Sequence, residues 1–197
     1  MIYTIATKDL QAVSLAMADK DIRVYLNGVL FELDNAEGYR LVGTDGHRLH
    51  IVCKKKSTGM PQEIIMSSDT VKQLCKMKEA FFTVELLENG QIKITTKSGV
   101  LTVQAVDGKY PDYRRVMPKQ LNPIETAHYQ PEYLLDLAKA QKILGSGTQQ
   151  KGYIAQQGTN AGVYVDNDKS FYAVIMPLRC DAPDSADFER GLTKVQS

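Results

Sequence analysis

The sequence predicts an α+β fold built from three copies of one β-α-β-β-β module, with helices on one face of antiparallel sheets. Three observations lead to this prediction. Segments with strand and helix patterns recur in the same order about every 60 residues. Each helical segment carries apolar residues at spacings of three and four. Between two alternating segments, Asn89-Gly90 has the composition of a tight hairpin turn.

The elements follow one another in the same order in each module. The first module has strand 1–6, a helix capped by Thr7 that runs to about Ala18, and extended segments 24–33, 39–45 and 47–53. The second has strand 63–66, a helix capped by Ser68-Asp69, and strands 81–87, 91–96 and 99–106. The third has strand 123–129, helix 131–144, and strands 152–157, 162–166 and 170–177.

The number of modules constrains the architecture. One such unit cannot bury both faces of its sheet, whereas two units side by side cover a sheet face with two helices. Linker-like segments separate the modules at 54–62 and 110–123. A third, unpaired module therefore implies either a second chain or an incomplete last domain. The polar segment 180–197 is expected to be a mobile tail.

The composition is that of an ordinary globular chain of 197 residues, with 43% hydrophobic and 24% charged residues. No apolar run approaches the roughly 20 residues that cross a bilayer, and Met1–Thr4 opens no signal peptide. The cysteines Cys53, Cys75 and Cys180 are odd in number and far apart, which favours reduced thiols in a cytoplasmic protein. Since the net charge is only +1, a basic face must arise by segregation of charge.

A polar cluster stands out in the segment LVGTDGHRLHIV, residues 41–52. A metal site would need more ligands than His47, His50 and Asp45, and residues three apart in a strand point to opposite faces. A Ser/His/Asp hydrolase is less favoured still, because no nucleophile-elbow pattern is present. Taken alone, Thr44-Asp45-Gly46 is best explained as a tight turn. We therefore expect no metal, no cofactor, no catalytic residue and no enzymatic activity.

Two further segments have a structural and a functional interpretation. YPDYRRVMP, residues 110–118, is either an ordered connector or a stiff surface with tyrosine and arginine side chains for stacking and bidentate hydrogen bonds. AVIMPLR, residues 173–179, has the pattern of a core strand that ends in proline and arginine. Taken alone, the strand is the simpler interpretation.

Lysines accompany all three predicted helices. A lysine-bearing helix face is usually a solvated surface. Stacked modules, however, would bring their helices to one common surface that contacts phosphates without reading bases. The aspartates Asp9, Asp19 and Asp21 offset this charge near the first helix. The candidate DNA-facing lysines are Lys8, Lys20, Lys72, Lys76, Lys139 and Lys142.

These clusters together resemble the bacterial DNA polymerase III β subunit, the sliding-clamp family. The matching segments, in the family's order, are DIRVYLNGVLFEL (21–33), VGTDGHRLHIV (42–52), VDGKYPDYRRVMP (106–118) and AVIMPLR (173–179). TDGHRL and PDYRRV are long and unusual, so the resemblance is specific. It covers nearly all of residues 1–179, and the tail from Cys180 has no counterpart in the family.

The resemblance implies a DNA-clamp (processivity-fold) architecture in a shortened form. Residues 1–118 correspond to the whole middle domain of the family, and residues 119–179 to the second half of its last domain. Family rings contain six domains, or twelve modules, so three modules per chain imply a tetramer. Such a ring would encircle duplex DNA without sequence specificity, with lysine-bearing helices lining the hole.

The resemblance also implies a peptide-binding cleft between the middle and last domains. In the family this cleft receives the clamp-binding motifs of polymerases and repair proteins, and a clamp loader is a further expected partner. An alternative function is a non-encircling module, of a phage or plasmid type, that captures such motifs in competition with a host clamp. The cleft residues carried over by motif are Arg23, Leu26, Thr44, Gly46, His47, Arg48, Leu49, Pro111, Arg115, Val116, Val174, Ile175, Met176, Pro177, Leu178 and Arg179.

Overall fold

A computed structural model describes residues 1–34, 38–54, 61–117, 128–145, 153–157, 161–165 and 170–178. The first module contains β1 (Ile2–Ala6), α1 (Thr7–Ser14), β2 (Gly28–Leu33), β3 (Tyr39–Thr44) and β4 (Arg48–Lys54). The second contains β5 (Gln62–Ser67), α2 (Ser68–Cys75), β6 (Phe81–Leu86), β7 (Gln91–Thr96) and β8 (Gly99–Gln104). In the third, α3 (Pro131–Leu144) precedes β9 (Tyr153–Gln157), β10 (Ala161–Val165) and β11 (Phe171–Ile175).

The first two modules exchange their first strands. β1 pairs antiparallel with β6 of the second module, with Ile2 opposite Glu85. In return, β5 pairs antiparallel with β2 of the first module, with Gly28 opposite Ser67. Each module therefore completes the sheet of the other, and we call these two interlocked modules the first domain.

The third module extends the sheet of the first. β11 pairs antiparallel with β4, with Ala173 opposite His50, which gives a seven-stranded sheet in the order β5-β2-β3-β4-β11-β10-β9. The remaining strands form a four-stranded sheet in the order β1-β6-β7-β8. Because the β4–β11 pair is continuous, the two modules meet as neighbouring strands of one sheet.

Both faces of the larger sheet are covered. One face packs on the helices, and its core includes Phe31, Leu41 and Phe171. On the other face, Leu30, Val42, Leu49, Ile51, Ile65 and Val174 pack under Tyr110 and Tyr113 of the segment that follows β8. Burial on both faces explains why every residue of β2 is buried. On the helical side, α1 contacts both α2 and α3.

The structure confirms the α+β class and most element bounds to within two residues, and it corrects four of them. The predicted strand 24–33 begins with a 3₁₀ turn at Val24–Leu26, because Asn27 closes the preceding loop by bonding both the N–H and the C=O of Asp21. α1 ends at Ser14, whose hydroxyl donates to the Gln11 carbonyl, and not near Ala18. The N-cap of α1 is Ala6 and that of α2 is Ser67, each one residue earlier than predicted. Of the predicted strand 123–129, residues 123–127 lie outside the described residues, and His128 forms an isolated bridge with Leu178.

Candidate functional site

A cavity of about 170 Å³ opens where the first and third modules meet the segment that follows β8. Its walls come from the loop before β2, the β3–β4 turn, a second 3₁₀ turn at Tyr113–Val116, and the end of β11. The lining residues are Arg23, Leu26, Thr44, Gly46, His47, Arg48, Leu49, Pro111, Asp112, Tyr113, Val116, Val174 and Met176.

The β3–β4 turn is held by its own side chains. Asp45 Oδ1 accepts from the backbone N–H groups of His47 (2.8 Å) and Arg48 (3.0 Å). The Thr44 hydroxyl donates to the Arg48 carbonyl at 2.6 Å and accepts from the Gly46 N–H at 3.0 Å. Gly46 has a φ of +91°, and a Cβ there would lie 3.2 Å from the Arg23 guanidinium. The predicted tight turn is confirmed, and it presents an exposed His47 at the cavity.

Arg23 forms part of the cavity rim together with an acidic partner. Its guanidinium donates twice to the Asp21 carboxylate, at 2.9 and 2.7 Å, and once to the Asp45 carbonyl at 3.3 Å. The hydrogen bonds from Arg23 lower the pKa of Asp21 to about 2. The pair is therefore ionised near neutral pH, and Arg23 is held over the turn.

Arg48 connects the turn to α3. Its guanidinium forms salt bridges with Asp45 at 3.0 Å and with Asp136, and it lies 4.6 Å from the centroid of the Tyr133 ring. Burial opposes ionisation of Asp136, but hydrogen bonds from Lys139 and Arg48 outweigh it and hold the pKa of that carboxyl below its ordinary value. The cavity wall and the third module thus share one network of ion pairs.

A buried carboxylate anchors the cavity wall that is formed by the 3₁₀ turn at Tyr113–Val116. Glu32 on β2 accepts from the Tyr113 hydroxyl at 3.0 and 3.1 Å and from Arg114 at 2.6 Å, and it also forms a salt bridge with Arg40. Burial and the neighbouring Glu32 raise the pKa of Tyr113 above its ordinary value, so the hydroxyl stays protonated as a donor. The ring of Tyr113 is thereby fixed against the cavity.

Sequence reasoning missed Asp112 and Tyr113 as lining residues. A 3₁₀ turn has three residues per turn, so Tyr113 shares a face with Val116, and this spacing within PDYRRV is the signal that could have found it. Arg115 is not among the lining residues. Its side chain is 84% exposed and pairs with Asp112 at 3.2 Å.

The end of β11 divides the predicted residues between two sides of the sheet. Val174 and Met176 line the cavity, whereas Ile175 is buried in the core on the opposite face, as strand alternation requires. The Met176 N–H donates to the His47 carbonyl at 2.8 Å, which ties this wall to the turn. Pro177 and Leu178 lie beyond the cavity, where the Leu178 N–H donates to the His128 carbonyl. Arg179 lies outside the described residues.

The candidate DNA-facing lysines are all exposed on or beside the helices. Three of them make hydrogen bonds within the chain: Lys8 donates to the Leu144 carbonyl at 3.0 Å, Lys72 to Asp19 at 2.8 Å and Lys139 to Asp136 at 2.8 Å. Asp19 and Asp136 offset part of the positive charge of this surface, whereas the bond from Lys8 to a neutral carbonyl does not.

His50 is a core residue. It is fully buried, its Nδ1 lies 2.9 Å from the Ala12 carbonyl, and its ring meets Phe171 edge-on. Burial lowers its pKa to about 4.

Within the part of the chain that the structure describes, no three His, Cys, Asp or Glu residues are grouped to hold a metal ion. Nor is any described helix long and apolar enough to cross a membrane.

Comparisons with known proteins bear on this fold and site. The chain matches the family model of the DNA polymerase III beta subunit, central domain, over residues 4–112. The beta sliding clamp of Proteus mirabilis is 34% identical over 122 residues, which cover 59% of this chain and 32% of that protein. The beta sliding clamp of Escherichia coli strain K12 is 36% identical over 113 residues, covering 56% and 31%. The chain thus matches about a third of the length of these relatives.

Solved structures extend the likeness beyond the matched sequence. A crystal structure of the DNA polymerase sliding clamp from Pseudomonas aeruginosa has a TM-score of 0.73 at 20% identity and covers 91% of this chain and 67% of that one. The DNA polymerase III beta subunit from Thermotoga maritima has a TM-score of 0.74 at 16% identity, with coverages of 92% and 66%.

The architecture is therefore that of the sliding clamps, an α+β class of DNA replication proteins. Since the family model covers more than half of the sequence, the chain belongs to the DNA polymerase III beta subunit family.

Proposed function

We propose that the chain is a sliding-clamp-like processivity factor that binds short clamp-binding motifs of DNA polymerases and other replication proteins in the cavity described above. The observation that carries the proposal is that residues far apart in the sequence, Arg23 and Met176, line one cavity. The β3–β4 turn and the segment that follows β8 complete its walls. The binding role of these residues is carried over from the family and requires no catalytic chemistry.

The cavity walls suit apolar side chains. Leu26, Leu49, Val116, Val174 and Met176 supply an apolar surface that can take one or two leucine or phenylalanine anchors. Most of the binding energy would concentrate in these anchors. Met176 is adaptable and 40% exposed, so it can adjust to different partners. A short motif that orders on binding commonly reaches roughly micromolar affinity, about −8 kcal/mol.

The rim suits the polar part of such a peptide. Arg23 and His47 present donors at one side of the cavity, and the exposed backbone of the Gly46 turn lies between them. Because Asp21 already holds the Arg23 guanidinium, little side-chain entropy remains to be lost when it meets a carbonyl or carboxylate of the peptide.

The second part of the proposal concerns DNA. A homo-oligomeric ring, a tetramer by module count, would encircle duplex DNA and contact phosphates through the helix lysines. The competing function is a non-encircling module that captures clamp-binding motifs. The pairing of Lys72 with Asp19 and of Lys139 with Asp136 favours that alternative, because these carboxylates offset positive charge on the helical surface.

Peptide binding can be tested with fluorescence polarisation. The probe is a labelled peptide with adjacent leucine and phenylalanine, and its control has both replaced by serine. We expect the His47→Ala, Met176→Ala double variant to lose binding of the probe. Val100→Ala, an exposed apolar residue on the distant β8, should bind as the wild type does. Unchanged affinity in the double variant would overturn the cleft assignment.

Encirclement has its own measurement. Light scattering over a concentration series should give four times 21.9 kDa for a tetramer, and retention on circular but not on linear duplex should follow. A monomer or dimer at all concentrations would rule out autonomous encirclement and favour the motif-capturing module.

A further inference from the structure

The three helices occupy equivalent places in their modules, yet one of them is packed differently. The fourth residue of α1, Leu10, and the fourth residue of α2, Val71, are 0% exposed. The fourth residue of α3 is Leu134, and it is 40% exposed. The seventh residues, by contrast, are buried in all three helices. The buried seventh residues indicate that all three helices pack on their sheets in a similar way. The fourth residues indicate that α3 differs along one side of the helix, which we call its flank.

In the first domain this flank is filled by a neighbouring helix. Ser14 and Cys75, the eighth residues of α1 and α2, face each other with Sγ and Oγ 3.6 Å apart. Gln11, the fifth residue of α1, donates to the Cys75 carbonyl at 2.7 Å. Equivalent residues of two repeats meet in this way at a two-fold axis. Small eighth residues allow the close approach.

α3 also has a small residue at the eighth position, Ala138, and this residue is exposed. We call Leu134 and Ala138 the α3 seam. The opposite flank of α3 is already occupied, since Asp136 binds Arg48 and the Leu144 carbonyl accepts from Lys8 of α1. At the fifth position, where α1 has glutamine and α2 has lysine, α3 has Leu135, which is 55% exposed. The helix flank that lacks a packed neighbour in the described structure is thus the more apolar one.

We propose that the α3 seam binds the α3 seam of a second copy of this chain, so that two third modules form a helix pair like that of α1 and α2. A second copy fits because the filled seam of the first domain is made by two repeats of the same module, with equivalent residues in contact. Ala138 then meets Ala138 of the partner subunit across the axis. This inference goes beyond peptide binding and does not depend on it.

Sedimentation velocity of the full chain tests the proposal. We expect the wild type to form a dimer of twice 21.9 kDa through this seam, or a tetramer of four times 21.9 kDa where two such dimers close the ring of the proposed function. Leu134→Glu should weaken dimerisation at least about tenfold, because the dimer would bury an unpaired carboxylate. Val100→Glu places the same charge at a 62% exposed apolar residue on β8, outside α3 and the cavity lining, and should leave the dimer unchanged. Peptide affinity should stay at the wild-type value in both variants, which separates this test from that of the cleft.

Cysteine cross-linking gives an independent measurement if Leu134→Glu fails to fold. In a background with serine at 53, 75 and 180, Ala138→Cys should form an intermolecular disulfide under mild oxidation, whereas Lys97→Cys on the β7–β8 turn should not. A monomeric wild type, or a dimer indifferent to Leu134→Glu and to cross-linking at position 138, overturns the proposal. A dimer that appears only after deletion of residues 181–197 also overturns it, and assigns the seam of the intact chain to its own tail.

Discussion

Arg48 and Asp136 form a salt bridge between the first residue of β4 and the middle of α3. The arginine side chain is 14% exposed and stacks on Tyr133, one turn earlier on the same helix. Its other partner, Asp45, belongs to the turn that presents His47 to the cavity. One guanidinium thus couples the position of the third module to the shape of the cleft.

Arg48→Ala should therefore affect stability and peptide binding together. It leaves two half-buried carboxylates, Asp45 and Asp136, without their shared partner, and we expect a loss of about 2 kcal/mol in unfolding free energy. Urea denaturation measures this loss, and peptide affinity should fall in the same variant. Arg48→Lys restores the charge but not the planar stacking, so it should recover only part of both. A variant with wild-type stability would contradict the coupling.

The Glu32–Tyr113 hydrogen bond should position the cavity wall. Tyr113→Phe removes only the hydroxyl, and we expect a loss of about 1 kcal/mol in stability with weaker peptide binding. Tyr110→Phe is the matched control, because that hydroxyl donates to the Val42 carbonyl at 3.2 Å while the ring lies outside the cavity lining. It should lose similar stability without losing affinity. Equal affinity in both variants would argue against a positioning role.

Local signals predicted some elements well. α3 was predicted with its observed bounds, because Pro131 starts the helix and Gly145 ends it in the left-handed conformation. The exchange of β1 and β5 left no such signal, since strand pairing between distant segments is not encoded in either segment alone. The 3₁₀ turn at Val24–Leu26 was missed for a related reason: its apolar residues fit a strand, and hydrogen bonds between Asp21 and Asn27 decide otherwise.

His50 should make stability depend on pH. Its folded pKa of about 4 lies below the ordinary 6.5, so the unfolded chain binds more protons between these values. The contribution of His50 to the free energy of unfolding is therefore fully present above about pH 6.5. It falls by about 3 kcal/mol as the pH drops towards 4. The difference in unfolding free energy between wild type and His50→Gln should change across that window. A constant difference would contradict the assignment, with Arg48, Asp45 and Asp136 as the nearby charges to examine next.

If the helix lysines contact DNA phosphates, the affinity for duplex DNA should fall as the salt concentration rises. If Lys76 and Lys142 each contact a phosphate, replacing both with alanine should reduce the slope of log K against log salt by about 2. Lys97→Ala, on the β7–β8 turn, is the control and should leave the slope unchanged. Binding to duplex DNA measured by fluorescence over a salt series gives the slope, and equal slopes for all three proteins would exclude Lys76 and Lys142 as phosphate contacts.

Motif matching predicted which residues gather at the cavity better than it predicted how their side chains are oriented. The predicted set included Ile175 because it lies between Val174 and Met176 in the matched segment, and strand alternation sends it to the other core. Arg115 was included by the same logic, but its side chain is 84% exposed and lies outside the cavity lining. A sequence motif fixes which residues are near a site, whereas the local backbone period decides which of them face it.

The exchange of first strands has a consequence for biosynthesis. β1 leaves the ribosome before its pairing partner, β6, which is translated about 80 residues later. At about 10 residues per second, Tyr3 and Ile5 wait several seconds before the sheet that buries them exists. The nascent first module therefore lacks the strand that completes its sheet, and we expect the domain to become native only after the second module has emerged. A chain cut between Lys54 and Pro61 should yield two pieces that fold only in each other's presence.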